Sequence, residues 1–194
     1  MLGRQAKTLT SAQIKTVLLH LDGTRNPVRN RLIFLLSVKA GLRAKEISDL
    51  TWRMVTDAQG QITKEIRLEN TASKGKSGGI IPINNELADA LRQWRQRCWF
   101  LDGNGRVIHT ERAKATSAPV IVNLFRDWYF GLGFEGCSSH SGRRTFITNA
   151  ARKISSVGGS MRDVQALARH SSLSMTQRYI ETDVDAQRKV VELI

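Results

Sequence analysis

Apolar positions recur at helical spacing through the first fifty residues of the chain, and the pattern then shifts toward short alternating runs. Thr10-Ser-Ala-Gln is a capping start, and Ile14, Val17, Leu18 and Leu21 follow on one helical face, predicting a first helix from Thr10 to Leu21. Asn26-Pro27 opens a second, because proline suits the first helical position. Its stretch from Leu32 to Val38 reads as buried, and Gly41 ends it. Ala44 to Leu50 predicts a short third helix. Trp52 to Val55, Ile62 to Leu68 and Gly79 to Ile83 are then short and strand-like, separated by the turn residues Asp57 to Gly60 and Thr71 to Gly78. Helical spacing resumes at Asn85 to Trp99, and the Asp102-Gly-Asn-Gly-Arg106 turn follows. Further helices are predicted from Pro119 to Phe130, His140 to Ile154, Ser160 to His170, Ser174 to Ile180 and Val184 to Ile194. The expected fold class is mainly α with a small antiparallel β-sheet.

Composition narrows this picture. A length of 194 residues fits one domain, and no repeat, low-complexity segment or linker interrupts it. A hydrophobic content of 41% supports a packed core and excludes a disordered basic tail. The 30 Lys and Arg outweigh the 17 Asp and Glu, giving a net charge of +13 and an isoelectric point near 10.6. A basic globular domain of this kind points to a polyanionic partner, nucleic acid ahead of any other. Cys98 and Cys137 stand in no metal-ligand spacing and read as reduced thiols of a cytoplasmic protein. Met1 to Lys7 holds no apolar signal core, and no apolar run approaches the roughly 20 residues that span a bilayer.

Six side chains carry candidate chemistry, and each has a bland reading when taken alone. His140 and Arg143 are spaced to share a helical face, which also describes an ordinary solvated helix start. Arg43 follows Gly41 at the opening of a helix, where main-chain amides favour an anion, yet it also suits a surface pair with Glu46. Lys74 sits in the glycine-rich turn Thr-Ala-Ser-Lys-Gly-Lys-Ser-Gly-Gly, where most lysines only solubilise, and Lys76 competes with it. His170 precedes a serine-rich helix start. Tyr179 reads otherwise as a half-buried residue of an amphipathic helix.

In this order and spacing the boxes resemble one family. Ala40-Gly-Leu-Arg43-Ala-Lys-Glu46-Ile-Ser-Asp-Leu50 resembles the first arginine box of the tyrosine recombinases, also called the phage integrase family. His140-Ser-Gly-Arg143-Arg144-Thr resembles its His-x-x-Arg box. Leu167-Ala-Arg-His170-Ser-Ser-Leu-Ser-Met-Thr-Gln-Arg-Tyr179 resembles its histidine-to-tyrosine box. The resemblance runs from about Leu9 to the C-terminus. Departures lie at Gly142, where the family more often has leucine, at Arg144, more often histidine, and at Arg169, usually glycine. The resemblance implies the catalytic-domain fold of that family over residues 1–194, with residues 1–9 as an N-terminal tail and 184–194 as a C-terminal tail helix. The family's separate N-terminal core-binding domain is expected to be absent.

The resemblance also implies the chemistry. Tyr179 attacks a phosphodiester, leaving a 3′-phosphotyrosine and a free 5′-hydroxyl, which is reversible without ATP. Arg43 and Arg143 neutralise the non-bridging oxygens, since a guanidinium stays charged and offers a planar fork. Lys74 is the general acid for the leaving oxygen, His140 the proton acceptor for Tyr179, and His170 a hydrogen-bond partner of the phosphate; residue types alone permit the two histidines to swap. No metal or other cofactor is expected, because the carboxylates are scattered. The expected partner is double-stranded DNA, bound by a homo-oligomer, a tetramer on DNA, at the nucleoid of a prokaryote, phage or mobile element. The competing readings are relaxation of supercoils, as by a type IB topoisomerase, and a catalytically silent DNA-binding domain. The apolar tail residues Val184, Val190, Val191, Leu193 and Ile194 suit either docking on their own core or packing on a neighbouring protomer.

Overall fold

The structure is a computed structural model that describes residues 5–73, 78–98, 102–111, 113–179, 184–192 and 194. Lys74 and Lys76 lie outside the described residues. Helix α1 (Ser11–Asp22) starts on a capping box, with Thr10 and Gln13 satisfying each other's main-chain amides. Helix α2 (Pro27–Ala40) is the axis of the molecule. It buries Leu32, Ile33, Phe34, Leu35, Leu36 and Val38, so its central run is covered on every side. α1 lies against it, with α4 (Asn85–Gln96) and α6 (Ser141–Lys153) on further sides. Helix α5 (Ala118–Gly131) packs on α3 (Ala44–Asp49) and α1, and its Phe125 meets Phe34 of α2 in the centre of the core.

The sheet is a single antiparallel pair among the described residues. β1 (Glu65–Leu68) runs beside β2 (Gly79–Pro82) with Ile66 opposite Ile81. Trp52 to Val55, expected as a strand, is instead a 3₁₀ turn over Trp52–Met54. Its aromatic and β-branched residues suggest a strand, but the main-chain amides of Trp52 and Arg53 bond the carbonyls of Gly105 and Gly103 at 3.1 and 2.8 Å. The Asp102–Arg106 turn therefore takes the donors that a strand partner would need. Ile62 joins only an isolated bridge to Thr56, so the expected strand starts later, at Glu65.

A second, smaller core lies under the C-terminal helices. Ile147 of α6 and Val164 and Ala168 of α7 (Met161–Ala168) are buried together, with Phe146, Ile154, Met161 and Tyr179 around them. After α7 the chain turns at Arg169 into α8 (Leu173–Gln177). Two close approaches hold this region on the main core. Gly41 ends α2 at φ 64°, and a Cβ there would lie 2.5 Å from the Phe146 ring. Gly142, where the resemblance favours leucine, faces α2 so closely that a Cβ would lie 2.3 Å from Ser37 Oγ.

The ends of the chain differ. Leu9 is buried and its amide bonds Thr145 Oγ1 at 2.8 Å, so residues just before α1 are docked. Helix α9 (Val184–Val191) ends the chain with Val190, Val191 and Ile194 exposed by 56%, 69% and 100%. Val190, Val191 and Ile194 thus do not pack on their own core. Among the described residues no helix is long and apolar enough to cross a membrane.

Candidate active site

Three chain segments converge where α2 ends. The left-handed turn at Gly41 directs the chain outward, so that Arg43 stands just before α3. Its Nη1 donates to Glu46 Oε1 at 2.7 Å, and its main-chain amide donates to Glu46 Oε2 at 2.8 Å. The pairing with Glu46 is real, but it is not a surface pair, because Glu46 is buried and Arg43 is only a quarter exposed, at 25%. That first amide is already taken by a carboxylate and is not left for an outside anion.

Arg143 enters from the first turn of α6 and is 2% exposed. Its Nη1 donates to the carbonyl of Gly41 at 2.6 Å and its Nη2 to the carbonyl of Ala168. One guanidinium therefore ties the end of α2 to the end of α7. Its Nε has no partner and is buried. Burial, and then the neighbouring Arg43, push its pKa down to about 10, against the pull of Glu46. A buried cation of this kind is unfavourable until an anion reaches it.

His170 and Tyr179 bracket α8. The His170 ring is buried, and its Nδ1 lies 3.0 Å from Thr176 Oγ1, a side chain that faces inward from the same helix. Burial first, then Arg143, Arg43 and Arg169, lowers its pKa to about 4, so the imidazole is neutral at pH 7. The ring stacks on Tyr179, with centroids 5.2 Å apart and planes 29° from parallel. Tyr179 is half-buried on the smaller core, and its carbonyl accepts from Thr148 Oγ1 at 2.9 Å. Only two tyrosines exist in the chain, and the other, Tyr129, is 1% exposed in the centre of the larger core. Burial raises the Tyr129 pKa far above the usual phenol range, so it cannot serve as a surface nucleophile.

His140 sits at the N-terminal end of α6 and is exposed, whereas Arg143 points into the interior. The two therefore approach the site from different depths. His140 and Tyr179 line one open cleft together with Arg144 and Arg178. Tyr179 is the residue common to this cleft and to the stack on His170. Sequence reasoning brought Arg43, His140, Arg143, His170 and Tyr179 to this place, but it did not foresee the buried Glu46 or the role of Arg169, whose Nη2 donates to Glu46 Oε2 at 2.6 Å. The only signal was the unusual residue in front of His170. Among the described residues, no group of three or more His, Cys, Asp or Glu is placed to hold a metal ion.

Comparison with known proteins bears on the family and the fold. The phage integrase family matches residues 7–186 of the chain. The tyrosine recombinase XerA of Thermococcus kodakarensis is 30% identical over 192 residues, covering 96% of this chain and 62% of that protein. A crystal structure of a XerA recombinase superposes with a TM-score of 0.75 at 21% identity, over 97% of this chain and 65% of that one. The Tn1549 transposon integrase, in complex with a circular intermediate DNA, superposes with a TM-score of 0.73 at 20% identity, over 96% of this chain and 65% of that one. The chain thus spans a little under two thirds of the length of these relatives. The two superpositions show a shared fold.

Proposed function

The chain belongs to the phage integrase family, and from that premise we propose that it breaks and rejoins DNA strands at specific sites through a 3′-phosphotyrosine on Tyr179. The observation that carries this is the stack of Tyr179 on a neutral His170 that feels the charge of the partly exposed Arg43 and the buried Arg143. A phenol, two guanidiniums and an uncharged imidazole are what transfer of a phosphodiester to tyrosine requires.

In this reading residues 1–194 act as one catalytic domain on double-stranded DNA. The scissile phosphate enters the cleft with its non-bridging oxygens toward Arg43 and Arg143. When the Thr176 hydroxyl donates to His170 Nδ1, Nε2 keeps its proton and donates to the same phosphate. Tyr179 Oη attacks phosphorus as its proton passes to His140. The bond to the 5′ oxygen breaks, and that oxygen takes a proton from Lys74. A phosphotyrosine and a 5′-hydroxyl result. Attack by a 5′-hydroxyl, its own or one from another duplex, reverses every step. No bond energy is lost, so no nucleotide is hydrolysed, and no metal ion is needed where guanidiniums neutralise the charge.

Strand exchange requires more than one active site. The exposed Val190, Val191 and Ile194 of the tail favour a cyclic assembly, a tetramer on DNA, in which each protomer donates its tail to a neighbour. Such an assembly separates this function from relaxation by a lone subunit and from silent binding. The protein acts at the nucleoid of a prokaryote, or on phage or mobile-element DNA. The test is to capture DNA from a random pool under denaturing conditions in excess EDTA and to sequence it. Covalent capture of a recurring site supports the reading. Capture without sequence preference supports relaxation, and no covalent capture leaves only binding.

A further inference from the structure

Arg169 has no part in the steps above, yet its backbone is unusual. It has φ 54° and is the only residue other than glycine with positive φ among the described residues. Glycine adopts this conformation freely and an L side chain does not. The side chain must therefore offset a strain that glycine would avoid.

What it reaches is the first arginine box. The Arg169 guanidinium is buried and bonds Glu46 Oε2, and Glu46 in turn accepts both the Arg43 main-chain amide and Arg43 Nη1. The carboxylate therefore orients one guanidinium with each oxygen. The stem of Arg169 lies on β2, where a Cβ at Gly79 would come within 3.4 Å of Arg169 Cδ. Arg169 thus joins α3, β2 and the turn that carries His170. The ionic balance is also uneven, since three guanidiniums, Arg43, Arg143 and Arg169, share one carboxylate. Arg169 Nε and Nη1 and Arg143 Nε are buried without partners. A structural ion pair alone would not leave this excess of positive charge. A phosphodiester carries one negative charge and gains a second as the pentavalent state forms, which is the complement such a cluster lacks.

We infer that Arg169 is a positioning residue for strand transfer: through Glu46 it fixes the Arg43 guanidinium in register with His170, behind the reacting phosphate. The inference rests on the proposed function and deepens it. The test measures the rate of covalent adduct formation on a nicked suicide substrate at saturating DNA, the DNA concentration for half-saturation, and the melting temperature. Arg169→Gly removes the strain and the ionic link together. Arg169→Met keeps the stem on Gly79 without the charge, and Arg169→Lys keeps a charge without the planar fork. The adduct rate is expected to fall roughly ten- to hundredfold in Arg169→Gly and Arg169→Met, by analogy with partners that orient metal-ligating side chains. Half-saturation should stay nearly constant, because the DNA contacts themselves are intact. Arg169→Lys should regain part of the rate. The melting temperature of Arg169→Gly should not fall; if it does, the methionine variant decides. A folded glycine or methionine variant with the wild-type rate overturns the inference, as does a loss confined to half-saturation or a lysine no better than methionine. A wild-type protein that forms no adduct overturns the proposed function, and the inference with it.

Discussion

Arg143 donates its fork to the carbonyls of Gly41 and Ala168, so the same side chain supports the fold and, in the proposed reaction, faces the phosphate. Arg43 bonds only Glu46 and its own box. The two should therefore respond differently to truncation. Arg43→Ala should lower the adduct rate by roughly a hundredfold or more, the cost of one lost transition-state donor, with little change in urea midpoint. Arg143→Ala should lose rate and also stability, by about 1 to 3 kcal/mol, because two buried carbonyls lose their donors. His170 gives a pH signature. Its pKa near 4 in the folded protein lies below the roughly 6.5 of an unfolded histidine. Between those values the unfolded chain holds the extra proton, so this group makes stability fall as pH drops from about 6.5 to 4 and adds nothing below. Urea titrations across that window should show a flatter slope for His170→Gln. At this scale the histidine and tyrosine boxes were legible because their order and spacing are local. The Glu46–Arg169 bond was not, since it joins residues 123 positions apart and depends on a left-handed turn that no spacing reveals.

Helix α2 was readable from Pro27 at its start, its apolar run and Gly41 at its end, because each of these acts within a few residues. The Trp52 turn was not, because its main-chain amides bond the carbonyls of Gly105 and Gly103, far along the chain. The close contacts of α2 and α6 were equally hidden. Gly142 looked like a departure from the resemblance, and the structure shows that α6 sits on Ser37 with no room for a Cβ. Gly142→Ala should cost about 1 to 3 kcal/mol by overpacking. Gly41→Ala should cost more, about 2 to 4 kcal/mol, since it adds left-handed strain to a clash with Phe146. Equilibrium unfolding in urea checks both, and a neutral Gly142→Ala would mean that the two helices separate easily. Either change should also slow adduct formation, because α2 and α6 deliver Arg43 and Arg143 to one place.

The whole molecule carries a charge of +13, which predicts DNA binding dominated by phosphate contacts. Each contact contributes roughly −0.9 to the slope of log K against log salt, so a slope steeper than about −3 is expected. The exposed tail adds a second expectation. A protein truncated after Thr182 should stay folded and bind DNA, yet lose higher-order complexes in native gels; unfolding on truncation would show that the tail supports its own core. Charge and an apolar tail were both visible in the chain, whereas which core the tail would leave was a matter of packing alone. The proposed reaction requires that Tyr179 become covalently joined to DNA. It is tested most directly by trapping the protein on a nicked suicide substrate, digesting the adduct and locating the modified peptide by mass spectrometry. A nucleotide-bearing phosphotyrosine is expected at Tyr179, lost in Tyr179→Phe and kept in Tyr129→Phe. An adduct mapped to any other residue, or one that persists undiminished in Tyr179→Phe, would contradict it.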